Sequence, residues 1–221
     1  MDSGKYIQTV QDCMVEVRPY CQVNGVPKRY ESAPFEIRES VKPHVDRALS
    51  ALRGGKSVTL VGGRGSGKTH MAIGLMKEIA REMSAPKVVD RDTYRREEFK
   101  FNFRRVADFY VDLKSNWSDG DGNIRKRTEG DVIDTYAYGD VIVMDDLGIE
   151  KVSDWSRQLL YTLIDKLYGE CKRVIFTSNL SLREISEKID DRIASRLMEM
   201  GPVINIGNKD ERREIAKQWS A

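Results

Sequence analysis

The chain has 221 residues, 40% of them hydrophobic, enough for one compact domain with a buried core. Its 37 Lys and Arg nearly cancel its 35 Asp and Glu, so a net charge of +2 excludes a globally basic nucleic-acid binder and leaves only a local patch for a polyanion. Three scattered cysteines (Cys13, Cys21, Cys171) without a CxxC pair, and only two histidines (His44, His70), exclude a zinc site and point to reduced thiols.

The N-terminus, MDSGKYIQTVQDCMVEV, has no basic start followed by an apolar run, so it does not read as a signal peptide. No apolar stretch approaches the roughly 20 residues of a membrane span, and the expectation is a soluble cytoplasmic protein with no membrane partner. Residues 5–21 place Ile7, Val10, Met14, Val17 and Cys21 at helical spacing. Gly25, Pro27 and Pro34 then read as an extended connector. A second helical pattern covers 40–53 and stops at Gly54-Gly55. From there β and α signals alternate. Ser57–Val61 is a β-branched strand, 68–83 carries Ala72, Leu75, Met76, Ile79 and Met83 on one helical face, and Phe99, Phe101 and Phe103 alternate with polar residues as in a strand. A helix follows Asp108. The segment 118–130 is polar and reads as a loop. Its Asp119, Asp121 and Asn123 imitate a calcium loop, but Ile124 and Gly130 stand where that loop needs glycine and glutamate. Val141–Met144 is a buried strand ending in acid, 154–168 a helix entered through Ser153, Arg173–Thr177 a strand, 182–198 a helix and Val203–Ile206 a last short strand. Strands alternating with helices predict an α/β fold with a parallel sheet covered on both faces.

Gly62-Gly63-Arg64-Gly65-Ser66-Gly67-Lys68-Thr69 fits G-x-x-x-x-G-K-[ST], between a predicted strand and a predicted helix. Glycines let successive backbone N–H groups surround phosphate oxygens without a side chain intervening. Lys68 brings a charge to the β- and γ-phosphates, the Thr69 hydroxyl is a Mg²⁺ ligand, and the helix that starts there aims its positive end at the anion. The expected cofactors are ATP and Mg²⁺. Val141–Asp146 is the expected second half: a buried strand delivers Asp145 to the magnesium shell, and Asp146 is placed to orient or deprotonate the attacking water. Two adjacent acids favour hydrolysis over passive binding. The amide of Asn179, after the strand at 173–177, can reach the γ-phosphate or the water, or else caps the next helix, as Ser181 also can. Arg192 and Arg196, four apart on one helical face, are either paired with neighbouring acids such as Asp190 and Asp191 or functional.

Together the phosphate loop, DDLG at Asp145–Gly148, TSNL at Thr177–Leu180 and DRIASRL at Asp191–Leu197 resemble the DnaC/IstB-like AAA+ ATPases, the bacterial and phage helicase loaders and transposase helper ATPases. Val26–Tyr30 with Phe35-Glu36, and Arg105–Leu113, resemble further family segments, so the likeness runs over about residues 25–213. It implies a P-loop NTPase of AAA+ type with little or no C-terminal lid domain. Residues 1–24 would be a helical extension for partner docking and 25–221 the ATPase domain. It also implies that Asn179 is the sensor-1 residue and that Arg196, with Arg192 as second candidate, is an arginine finger acting on a neighbour's nucleotide. Arg212 resembles a late family arginine that contacts nucleotide, and Val26–Tyr30 would lie near the adenine. The implied partners are a replicative hexameric helicase, single-stranded DNA, and further copies of the chain in a ring or spiral oligomer.

The chain departs from that family in three places. Only about 24 residues precede the core, where loaders carry a larger helicase-gripping domain. Leu167 precedes Tyr168 where the family often has arginine, which shifts that role to Lys166 or abolishes it. The stretch 86–103 is longer than usual and interleaves Lys87, Arg91, Arg95, Arg96 and Lys100 with Tyr94 and three phenylalanines. That composition suits single-stranded DNA, but acids dilute it and alternating phenylalanines also suit a core. Beside the loader reading stand a transposase helper, a monomeric P-loop small-molecule kinase and a nucleotide-gated adaptor.

Overall fold

A computed structural model describes residues 21–31, 41–83, 87–88, 94–95, 99–115, 127–148 and 153–207. The predicted helix up to residue 20, Phe35-Glu36, Trp117, most of the 118–130 segment and Arg212 lie outside the described residues.

In chain order the elements are β1 (Cys21–Asn24), α1 (Lys28–Glu31), α2 (Lys42–Arg53), β2 (Val58–Val61), α3 (Lys68–Met83), β3 (Lys87–Val88), β4 (Tyr94–Arg95), β5 (Phe99–Arg105), α4 (Val106–Ser115), α5 (Glu129–Ala137), β6 (Val141–Leu147), α6 (Asp154–Gly169), β7 (Arg173–Ser178), α7 (Leu182–Lys188), α8 (Asp191–Met200) and β8 (Val203–Asn205). Six strands form one parallel sheet in the order β1-β5-β6-β7-β2-β8, and β3 pairs antiparallel with β4 in a separate ribbon. The fold is α/β, as the alternating pattern predicts.

The sheet is buried on both faces because its strands are apolar at successive positions. Side chains alternate across a strand, so Val141 and Val143 of β6 join a core with α2 and α3, while Ile142 and Met144 join a second core with α4 to α8. Phe101 and Phe103 of β5 lie in the first core, 0% and 3% exposed, which removes both rings from any stacking surface for DNA bases. After β2 the chain crosses to β5, returns through β6 and β7 to lie beside β2 on that same side, and then crosses it to β8. In an open parallel sheet, ligands bind at the carboxyl ends of strands near such a reversal.

Four expectations need correction. The connector after Gly25 contains a turn of helix, α1, entered after Pro27, whose carbonyl accepts from Tyr30 N at 2.8 Å. Cys21 opens a strand instead of closing a helix. The span 182–198 is two helices, because the Asp190 carboxylate accepts from Arg192 N and starts α8 afresh. Helix α5 begins inside the predicted loop: Thr128 and Asp131 form a reciprocal capping box that satisfies the first free N–H groups.

Candidate nucleotide site

The phosphate loop leaves the carboxyl end of β2 and turns directly into α3. Gly65 and Gly67 have φ of +77° and +89°, in the left-handed region that glycine adopts without a steric penalty. At Gly62 a methyl group would lie 2.5 Å from the Gly207 carbonyl oxygen, the same oxygen that accepts from Gly63 N at 3.0 Å. The residues after β8 therefore brace the loop from below. Arg64 is exposed, whereas Ser66 and Lys68 are buried.

Lys68 is the centre of the cluster. Its ammonium donates to the carbonyl oxygens of Gly62 at 2.8 Å and Gly63 at 2.7 Å, and to Asn179 Oδ1 at 2.7 Å. These contacts hold the cation over the loop and join β2 to the end of β7. Next along α3, the Thr69 hydroxyl donates to Asp145 Oδ1 at 2.9 Å, and the Thr177 hydroxyl donates to the same oxygen at 2.6 Å. Burial pushes the Asp145 carboxyl above the usual range, the nearby Asp146 adds to the rise, and the two hydroxyls and Lys68 oppose it.

Adjacent strand residues point to opposite faces, so consecutive acids should not serve one site. A bulge resolves this. The register of β6 on β7 shifts between Met144 and Leu147, and Asp146 takes φ of +62°. Its backbone N–H donates to Thr177 Oγ1 at 2.9 Å, and its Oδ1 accepts from Asn179 Nδ2 at 3.2 Å. Asp145 and Asp146 thereby both reach the cluster. Beyond them Ser178 Oγ donates to Leu147 O at 2.6 Å and accepts from Leu180 N, fixing the turn that carries Asn179.

Thr177 enters the sequence reading only as the first residue of TSNL, with no role of its own, although the Thr-Ser-Asn run at the end of an apolar strand marks it. Its hydroxyl donates to one acid and accepts from the backbone of the other. We expect Thr177→Val to lower Mg²⁺-dependent nucleotide affinity by about tenfold, in the range for residues that orient a metal's ligands. Titration calorimetry with and without Mg²⁺ measures it; equal affinity for the variant and the wild type would remove Thr177 from the site.

The donors present fit a small, hard cation. The Thr69 hydroxyl and the Asp145 carboxylate, already within hydrogen-bond reach of each other, are the hard oxygen donors that Mg²⁺ takes. A bound cation would also relieve the burial of the Asp145 charge.

Arg192 and Arg196 lie elsewhere. Both project from α8 onto α6: Arg192 stacks over Tyr161 and Arg196 over Tyr168, with guanidinium carbons 4.2 and 4.3 Å from the ring centroids. Their charged partners are Asp190 for Arg192, and Asp165 and Glu199 for Arg196. Leu167 is fully buried, and Lys166 pairs with Asp134 and Glu170. At the other end of the site, Tyr30 packs on the core and its ring centroid lies 6.4 Å from that of His70, the residue after Thr69.

Residues 28–218 match the family described as IstB-like ATP binding protein. Phage-like element PBSX protein XkdC of Bacillus subtilis (strain 168) is 23% identical over 149 residues, 65% of this chain and 47% of that protein, so the chain spans about half the length of the curated relative it matches. Among solved structures, the DnaC helicase loader superposes with a TM-score of 0.61 at 24% identity, over 81% of this chain and 99% of that one. DnaI superposes with a TM-score of 0.63 at 16% identity, over 88% and 98%. At these identities the likeness is one of fold, an AAA+ P-loop domain.

Proposed function

We propose a function from one premise: the chain belongs to the IstB-like ATP binding protein family. On our reading it binds ATP with Mg²⁺, hydrolyses it in an assembly of its own copies, and loads a hexameric helicase onto single-stranded DNA. The observation that carries the catalytic part is the convergence of Lys68, Thr69, Asp145, Asp146 and Asn179 on the carboxyl ends of three neighbouring strands.

In this reading the N–H groups of residues 63–69 and the start of α3 hold the phosphates, and Lys68 gives up its carbonyl partners for the β- and γ-oxygens. Thr69 and Asp145 would hold Mg²⁺, which supplies charge neutralisation to the β- and γ-phosphates when bound. Asp146 accepts a proton from a water whose oxygen attacks the γ-phosphorus, the bond from that phosphorus to the β–γ bridging oxygen breaks, and ADP and phosphate leave. Asn179 orients that water and the Asp146 carboxylate together. The Val26–Tyr30 segment, over the start of α3, borders the adenine. Arg212 remains a proposed nucleotide contact, and residues 1–24, which end in β1, a proposed docking extension.

Arg196 completes the site of a neighbouring copy. The support is its position on α8 against α6, bonded to residues outside the phosphate-loop cluster of its own chain. Turnover per subunit should then rise with protein concentration, and Arg196→Ala should remove the rise while leaving nucleotide affinity intact. Turnover independent of concentration and of DNA would favour a monomeric kinase-like enzyme instead. The helicase part rests on the fold shared with the DnaC helicase loader. A transposase helper would use the same site residues, so capture with ATP-loaded Asp146→Asn protein separates the two: a hexameric helicase supports loading, and a transposase replaces it.

A further inference from the structure

The two arginines of α8 are held in different ways, and the difference bears on which one is available to a second copy of the chain. Arg192 donates through Nε and Nη2 to both oxygens of Asp190, at 3.0 and 2.8 Å, and its own backbone N–H donates to that carboxylate too. The Asp190 side chain is only 6% exposed and caps α8. Such a bidentate pair fixes the corner between α7 and α8, and moving the guanidinium away would strand a buried carboxylate.

Arg196 is held from one side. Nε donates to Asp165 Oδ1 at 3.0 Å and Nη1 to Glu199 Oε2 at 3.2 Å, while one face of the guanidinium lies on the Tyr168 ring. Both carboxylates are about half exposed, at 45%, so neither depends on Arg196 for burial compensation. Tyr161 of α6 adds a further side-chain hydrogen bond, and the Arg196 side chain stays 30% exposed. The group is thus rotationally restrained yet still partly exposed, and its partners are half-exposed carboxylates that a phosphate oxygen can displace.

We propose that Asp165 and Tyr168 of α6 are positioning residues that hold Arg196 pre-set for the triphosphate of a neighbouring copy, while Arg192 is a structural latch. This rests on the reading of Arg196 as a residue acting in trans. Helix α6 runs into the turn before β7, and Asn179 follows the last residue of that strand, so consecutive elements connect the outgoing arginine with the chain's own water-orienting amide.

The test uses the full chain under assembling conditions. Asp165→Ala and Tyr168→Ala should each lower kcat by about tenfold, the scale of a loosened catalytic group, with nucleotide affinity unchanged. Tyr168→Phe, which keeps the ring, should restore the rate. Asp165→Ala is then mixed with Asp146→Asn protein, which cannot hydrolyse ATP but carries an intact Arg196 assembly. Turnover should recover, because the Asp165→Ala active site now receives a well-held arginine; a variant damaged in its own nucleotide site would not recover. An unchanged rate for Asp165→Ala with a slow Arg196→Ala control would overturn the positioning role alone. A wild-type rate for Arg196→Ala would overturn the trans reading with it.

Discussion

Lys68→Ala is expected to lose ATP binding by roughly several hundred-fold, about 3–4 kcal/mol, because charge-assisted bonds to phosphate in a partly dry loop are among the strongest single contacts a side chain makes. The structure explains why no neighbour can substitute. The ammonium is the point where two carbonyls of the loop and Asn179 Oδ1 converge, and the residue is only 5% exposed. Truncation leaves three acceptors facing one another with no donor between them. It also removes the burden of burying an ammonium, so the fold itself should change by no more than about 1 kcal/mol. Calorimetric titration with ATP and Mg²⁺, beside a thermal melt, separates the two effects. A folded variant that still binds ATP tightly contradicts the phosphate-loop assignment.

Asp146→Asn should do the reverse, keeping ATP and losing turnover by about 10²–10⁴-fold, the usual contribution of a positioned general base. Two features make this substitution unusually clean. Asparagine adopts positive φ more readily than most residues, so the backbone at +62° is retained. Its amide oxygen still accepts from Asn179 Nδ2, where Asp146 Oδ1 accepts now. What disappears is the charge and its proton affinity. Single-turnover hydrolysis measured on pre-bound ATP reads the step directly; an undiminished rate would assign the water to another group.

Much of the fold around this candidate site follows from the sequence, for physical reasons that differ along the chain. The span of α3 follows from its apolar periodicity and from the phosphate motif at its start, and both ends fall where the pattern puts them. Ser153 caps α6 as its residue type suggests. Helix α5 lies outside the sequence reading because the polar run at 118–130 dominates that stretch, although the Thr128–Asp131 capping pair and the stripe of Val132, Ile133, Tyr136 and Ala137 both mark it. The break at Asp190 was hidden for the opposite reason: apolar spacing continues through it, and only the side chain's bond to Arg192 N reveals a new start. Most instructive is Asp146. Strand alternation would send it away from Asp145, and nothing in one sequence announces a bulge. Asp145 and Asp146 reach the same cluster of side chains because the backbone breaks the rule on which strand reading depends. Thr177 was overlooked because threonine in a strand is ordinary; its importance lies in what two neighbouring strands bring to it.

The central claim is that hydrolysis needs the nucleotide cluster of one copy and Arg196 of another. Two inactive variants test it most directly: Asp146→Asn, which keeps its arginine, and Arg196→Ala, which keeps its acid. Each alone should be slow, and steady-state ATP turnover of an equimolar mixture should exceed the sum of the two measured separately. A mixture that turns over no faster than that sum, although both proteins fold and assemble, would contradict a site shared between copies.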